Sequence, residues 1–544
     1  MINHSIKLFY NLLLGHVLDK AKMLDIIYNS DLINDLCINT ANDSHQWQLN
    51  FCSTPPADWV KVTTDLTLYS KENILKHVTL LAVMDEKAKS RPTDSETRWV
   101  EMTPMFSLMG SDLFHYEKYV RQHMQAMFQA ALDENVQYLE ARFSSYGLYV
   151  LNETYDARTF GHQYLDTDGE GDTWFVMVRE ELAKFKAAHP EFIGYRDIIN
   201  GKRYKNHAAA RADLDLAIRQ RKKYPDIVSG FDMVAEEDQG YSLLHFIDDL
   251  ATDTHDNMPF FFHTAETSWP DDLLTSMHPD DPVSTLENTY DAILMKSRRV
   301  GHGLGYIKHP YLMQILREHG IAVEANPVSN MLLGYVQDQR HHPAITYIRS
   351  GIPVVMGADD PGSMGYNEFT VDWYEAFMAW GLDLKDLKQL SINSLNYSTM
   401  EDVEKQMAFL KWRTAWDSFI ADVKQEACAA NMSMSKPEAF RIFPREGPVG
   451  NKTNVSVFGR NFESAICQNI LCRFGDHIGT SGEYVHSTLI RCPVVGDRPA
   501  TVDFSISLDS GQTFINVTGP VSSFRFGENT GNKYDHREQP VIIG

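Results

Sequence analysis

Eight short, β-rich apolar runs punctuate the first 360 residues, and longer amphipathic stretches separate them. The runs are LFYNLLLGHVLD (from residue 8), VQYLEARF (136), EFIGYRDII (191), DIVSGFDMV (226), PFFFHTAE (259), RRVGHG (298), GIAVEANP (320) and GIPVVMGADD (351). Between them lie patterns such as FHYEKYVRQHMQAMFQAALDE and ARADLDLAIRQRKKY, whose apolar residues recur with a helical period. Strands that alternate with helices build a parallel sheet. Eight strands is the number that closes a (β/α)8 TIM barrel.

The polar residues of these runs sharpen that expectation. His16, Asp19, Glu140, His263, Glu266, His302, Asp359 and Asp360 all fall at or near the C-terminal ends of the expected strands. That is the face on which barrel enzymes assemble their sites. One such residue alone is more often a cap or a satisfied core group; the shared placement of eight points to a site. A histidine there can bind a metal and a neighbouring carboxylate can move a proton, so His263 with Glu266 points to metal-assisted hydrolysis.

Length and charge narrow the partners. The 544 residues exceed what one core usually serves. Fifty basic against seventy-three acidic side chains leave a net charge of -23, which repels nucleic-acid backbones and anionic lipid surfaces. No run approaches the roughly 18 apolar residues of a membrane span. The N-terminal apolar run is interrupted by Asn11 and reads as a buried strand rather than a signal peptide.

After about residue 430 the pattern changes. NMSMSKPE reads as a linker, and residues 436–527 carry short alternating strands with Gly, Asn and Asp turns, as in a small immunoglobulin-like β-sandwich. Residues 528–544 read as a flexible tail. Asn-x-Ser/Thr sequons begin at Asn42, Asn152, Asn396, Asn431, Asn451, Asn454 and Asn516. Their density in the last fifth, with six cysteines in the chain, points to an extracellular or cell-surface glycoprotein.

Taken in order, HVLD (16–19), YLEARF (138–143), GFDMVAEED (230–238), HTAE (263–266), RVGHG (299–303), EANPVSN (324–330) and GADDPG (357–362) resemble the adenosine deaminases, and within them the secreted adenosine deaminase growth factor group. The resemblance covers roughly residues 10–425, within a barrel domain expected over 1–430. It implies a zinc held by His16, His263 and Asp359, a purine nucleoside as substrate, and deamination of adenosine to inosine. Glu266 would protonate the purine N1 and His302 would orient the attacking water. Asp360 would hold N7, Ala235 would face the purine, and Asp19 and Glu140 would serve the ribose. It also implies a loop insertion at about 30–70, closed by Cys37 and Cys52. The last domain resembles the TIG (IPT) fold, with Cys472 and Cys492 at its usual cysteine positions, and such modules commonly bind protein partners.

Three departures from the family pattern bear on activity. Leu18 stands where the second ligand of a His-x-His pair belongs, and the other histidines of the first fifty residues, His4 and His45, lack the spacing of a strand pair. Ala265 replaces the glycine of His-Ala-Gly-Glu, and Ala235 replaces a glycine whose backbone faces the purine. Two histidines and a carboxylate are still a zinc set. The readings to be separated are therefore a deaminase weakened by a lost ligand, a pseudoenzyme that binds a nucleoside or acts through its surface, and a structural glycoprotein.

Overall fold

The computed structural model describes residues 10–13, 18–40, 47–77, 95, 97–100, 102, 112–143, 147–154, 160–167, 171–251, 258–267, 283–366, 368–429, 436–519 and 522–528. The chain forms two compact units, 1–416 and 417–544, and the division falls inside the helix Asp402–Ala429.

In the first unit, eight parallel strands follow one another in chain order: β1 (Tyr10–Leu13), β2 (Tyr138–Phe143), β3 (Gly194–Lys202), β4 (Val228–Val234), β5 (His263–Thr264), β6 (Arg299–His302), β7 (Ala322–Ala325) and β8 (Val354–Met356). Strands β1 to β4 pair consecutively, and so do β5 to β8. A parallel bridge between Phe231 and Phe260 joins the two halves. This is the strand order of a (β/α)8 barrel. A pairing of β8 with β1 does not occur among the described residues, so closure is not itself observed.

Why these segments form buried strands follows from their composition. Every residue of β2 is buried, as is every residue of β4. A parallel strand with both faces covered must be apolar or carry paired polar groups. Here the period of two places Glu140 and Arg142 on one face of β2. Helices cross over between strands, among them α1 (Lys20–Tyr28) and α2 (Glu117–Asp133). Between α1 and α2 an insertion carries a three-stranded antiparallel sheet of Gln48–Phe51, Leu36–Asn39 and Val60–Lys61. Cys37 and Cys52 are bonded there, as the resemblance implied, with Cα atoms 5.9 Å apart.

The second unit contains two facing sets of strands. One sheet orders Glu438–Phe443, Thr453–Arg460, Leu489–Val494 and Glu483–His486; the other runs through Glu446–Pro448, Ser523–Gly527, Ala500–Ser507, Leu471–Phe474 and His477–Ser481. Val455, Val457, Cys472, Ile490, Cys492, Phe504 and Phe524 fill its core. The pattern is a β-sandwich. Cys472 pairs with Cys492, and Cys428 pairs with Cys467, a partnership the sequence did not announce. The sequon residues Asn451, Asn454 and Asn516 are exposed. Among the described residues no helix is long and apolar enough to cross a membrane. Of the expected linker 431–438, residues 431–435 lie outside the described residues, as does the tail from 529.

Candidate active site

The C-terminal ends of β5, β6 and β8 converge. His263 on β5, His302 at the end of β6 and Asp359 beyond β8 each offer a ligand atom, all within 4.8 Å of one another. The imidazole rings lie 5.0 Å apart, and His302 Nε2 is 3.7 Å from Asp359 Oδ2. Glu266 joins them, with Oε1 3.3 Å from His302 Nδ1. Gly301 stands beside His263 in the β5–β6 register, and a Cβ there would lie 3.2 Å from the His263 ring and backbone. The absence of a side chain is what lets the imidazole lie so close to the neighbouring strand.

His263 is aimed by Asp232 on β4. The Asp232 carboxylate accepts from the His263 backbone N–H at 2.8 Å and meets Nδ1 at 2.6 Å. Burial alone would push that carboxyl up, but His263 and Arg142 outweigh it and hold it well below the usual range. An ionised carboxylate only accepts, so Nδ1 carries the proton and Nε2 keeps its lone pair for a metal. Asp359 is fixed by Ser329, whose Oγ donates to Oδ2 at 2.6 Å.

Behind His263 runs a chain of alternating buried charges. Asp232 pairs with Arg142 at 2.5 Å, Arg142 with Glu324 at 2.9 Å, Glu324 with Arg299 at 2.7 Å, and Arg299 with Glu140 at 2.7 Å. Burial would raise the Glu324 carboxyl, yet the two guanidinium groups lower it. An interior lined this way is satisfied only as a whole, because each charge neutralises the next.

Glu266 follows β5 on a tight turn. Glu237 holds that turn by accepting the Ala265 N–H at 3.0 Å and the Glu266 N–H at 2.7 Å. Burial first, then the charge of Asp359 and the acidic residues 236–238, pushes the Glu266 carboxyl well above its ordinary value. Burial likewise depresses His302, to about 4. Asp360 is raised by burial and by Asp359.

Backbone strain gathers at the same place. Ala235 (φ 81°), Ala265 (60°), His302 (58°) and Asp359 (60°) all occupy the left-handed region. For non-glycine residues each costs of order 1–3 kcal/mol, and such residues concentrate at functional sites. The two alanines identified as glycine replacements therefore hold conformations that favour glycine. Buried polar atoms without a hydrogen-bond partner also collect at strand C-terminal ends: both amide atoms of Asn200, Asn326 Oδ1 and Asp360 Oδ1. Buried groups of this kind mark room for water, an ion or a ligand. The donor set and these orphaned atoms fit a bound divalent cation and a polar ligand.

Not every expected residue joins the cluster. Asp19 caps α1, its Oδ1 accepting from Lys22 N at 2.8 Å. Glu140 sits inside the ion-pair chain, where one oxygen meets Arg299 and the other accepts from Thr399 N and Oγ1. Leu18 is buried and lines a cavity with residues of α1 and α2, among them Lys22, Ile26, Gln122 and Ala126, while no member of the His263 cluster lines it. His16 lies outside the described residues.

The sequence reading passed over Asp232, Glu237, Ser329 and Asn330, although all four lie within the quoted motifs. They act by holding other residues, and no spacing rule reveals that.

Residues 83–409 match the sequence profile of the family described as adenosine deaminase. The chain belongs to the adenosine deaminase family. Within it, the chain is similar to human adenosine deaminase 2, with 32% identity over 372 residues and 67% of each chain covered, and resembles the growth factor group. It is likewise 30% identical over 427 residues to zebrafish (Danio rerio) adenosine deaminase 2-A, covering 74% of this chain and 78% of that one. Among solved structures, an Arabidopsis N6-mAMP deaminase aligns with a TM-score of 0.51 at 15% identity, covering 76% of this chain and 99% of that one. The Arabidopsis protein ADAL complexed with GMP aligns at 0.52, also 15% identical, covering 76% and 98%. At such identity the likeness speaks for fold alone, and the fold it implies is a TIM barrel.

Proposed function

We propose that the chain hydrolyses adenosine, or a closely related purine nucleoside, to inosine and ammonia in a closed (β/α)8 barrel spanning 1–430, at a zinc held by His263, Asp359 and His16. The observation that carries the reading is a buried Glu266, its carboxyl held well above its ordinary value and its Oε1 3.3 Å from His302, beside a metal-donor cluster.

Zinc in such a site lowers the pKa of water to about 7 and so supplies the oxygen nucleophile near neutral pH. Glu266 donates its proton to purine N1, which makes C6 electrophilic. His302 orients the attacking water, whose oxygen adds to C6. One proton of the water restores Glu266 and the other passes to the exocyclic nitrogen, so the C6–N bond breaks, ammonia leaves and C6 becomes the carbonyl of inosine. Asp360 holds N7, and Ala235 and Ala265 form the wall against the base. Asp19 and Glu140 are the candidates for the ribose.

Leu18 offers no donor atom, so the ligand set is one imidazole short of the family pattern, which weakens zinc and slows turnover. The second reading is a pseudoenzyme acting through nucleoside binding or through its 436–527 domain, which we assign to the TIG type as a protein-binding module of an extracellular glycoprotein. The paired state of all six cysteines supports that setting. Metal analysis of the purified chain, with an absorbance assay for inosine, separates the two. Zinc-dependent turnover lost in Glu266→Gln supports the deaminase, whereas no turnover at any zinc concentration leaves the pseudoenzyme.

A further inference from the structure

His302 sits at the end of a hydrogen-bonded line that starts at a backbone amide. The N–H of Ala344 donates to His342 Nδ1 at 3.1 Å. A backbone amide can only donate, so Nδ1 is bare and the proton of this neutral imidazole sits on Nε2. That nitrogen lies 3.0 Å from Asn330 Oδ1 and donates to it. The orientation of the Asn330 amide is thereby fixed, because its oxygen faces His342. Its NH2 group therefore faces His302, with Nδ2 2.9 Å from Nδ1. The second neighbour of that nitrogen, the Asn326 Nδ2 at 3.5 Å, is also a donor group, and the third, Glu266 at 3.3 Å, is a donor when neutral. Of the described groups beside His302 Nδ1, the nearest, the Asn330 NH2, can only donate to it, and it is closer than the Glu266 carboxyl.

We infer that Asn330 and His342 are positioning residues that lock His302 in the Nε2–H tautomer, as a hydrogen-bond donor facing Asp359 rather than a metal ligand or a base. The line joins three separate elements: β6, the helix Pro327–Leu332 and the start of the helix Ala344–Arg349. All three imidazole and amide groups are buried, so water does not compete for their hydrogen bonds.

The consequence is a division of labour between two histidines whose rings are 5.0 Å apart. Asp232 accepts a hydrogen bond from the Nδ1–H of His263 and leaves Nε2 bare for a cation. Asn330 does the reverse to His302. Although His302 lies within ligand distance of the cluster, its Nε2 has no lone pair to give. It presents an N–H, the group that stabilises an oxygen gathering negative charge during addition. This assignment rests on the deaminase reading only for that last role; the tautomer itself does not depend on it.

The test is nitrogen NMR on the full chain with 15N-labelled histidine, metal-free and zinc-loaded, assigning His302 by its loss in a His302→Asn variant. The expected result is Nε2–H on His302 in both states. Asn330→Asp replaces the donor with a pure acceptor and should move the proton to Nδ1, with kcat falling about 10- to 100-fold, the usual effect of losing such a partner, while KM changes little. His342→Gln keeps a donor for Asn330 Oδ1 and should retain the wild-type tautomer. Wild-type protein with Nδ1–H on His302, or an unchanged tautomer in a folded Asn330→Asp, overturns the inference. An inactive chain with the expected tautomer would count against deamination and leave this assignment standing.

Discussion

Asp232 Oδ2 lies 2.6 Å from His263 Nδ1 while its other oxygen accepts the His263 backbone N–H, so one carboxylate on β4 sets both the ring orientation and the strand position of a histidine in the metal-donor cluster. Asp232→Asn should preserve the fold and cut zinc affinity about 10- to 100-fold. Competition with a chromophoric chelator measures this directly. Unchanged affinity would mean that His263 does not face a metal.

The ion-pair chain makes a separate prediction about stability. Glu324→Leu leaves Arg142 and Arg299 without the carboxylate they share, and removing one member of a buried pair costs about 3–5 kcal/mol. A large drop in the denaturation midpoint is expected, far exceeding that of exposed pairs such as Arg340 with Asp338. Equal effects would contradict the interior placement of the chain.

Ala265 holds φ at 60° next to the acid Glu266. Ala265→Gly removes a left-handed strain of about 1–2 kcal/mol, partly offset by the entropy that glycine loses on folding. The variant should melt higher than the parent, and on the deaminase reading it should bind adenosine more tightly. A lower melting temperature would show that the turn is not strained.

Asp197 is fully buried, with Tyr195 and Trp174 donating to it. Burial dominates those bonds and pushes its carboxyl from 3.8 up to about 7. Because the folded value is the higher one, the stability this group contributes is complete below about pH 4 and is lost as pH rises through about 7. Asp197→Asn should therefore flatten the fall in melting temperature between pH 5 and pH 8. Parallel pH profiles for variant and parent would refute it.

Leu18→His tests the first strand. On the deaminase reading the new imidazole supplies the donor that Leu18 lacks, so bound zinc and turnover should rise above those of the parent. Unchanged zinc and turnover would remove Leu18 from the ligand position expected from its motif.

The sequence by itself determined the order of the strands and the chemistry of their ends. Buried parallel strands need long apolar runs, and polar residues survive in them only where a site or a partner requires them, so HTAE, RVGHG and GADD stood out. The sandwich was legible for the same reason, through alternation and turn residues. What only the tertiary structure decided was pairing. Glu140 and Asp232 are both acids on buried strands, yet one ends at Arg299 and Thr399 and the other at His263, because their heights on β2 and β4 bring different neighbours across the interior. The proton positions of His263 and His302 were likewise invisible in the chain, since each is fixed by a group from an element distant in sequence.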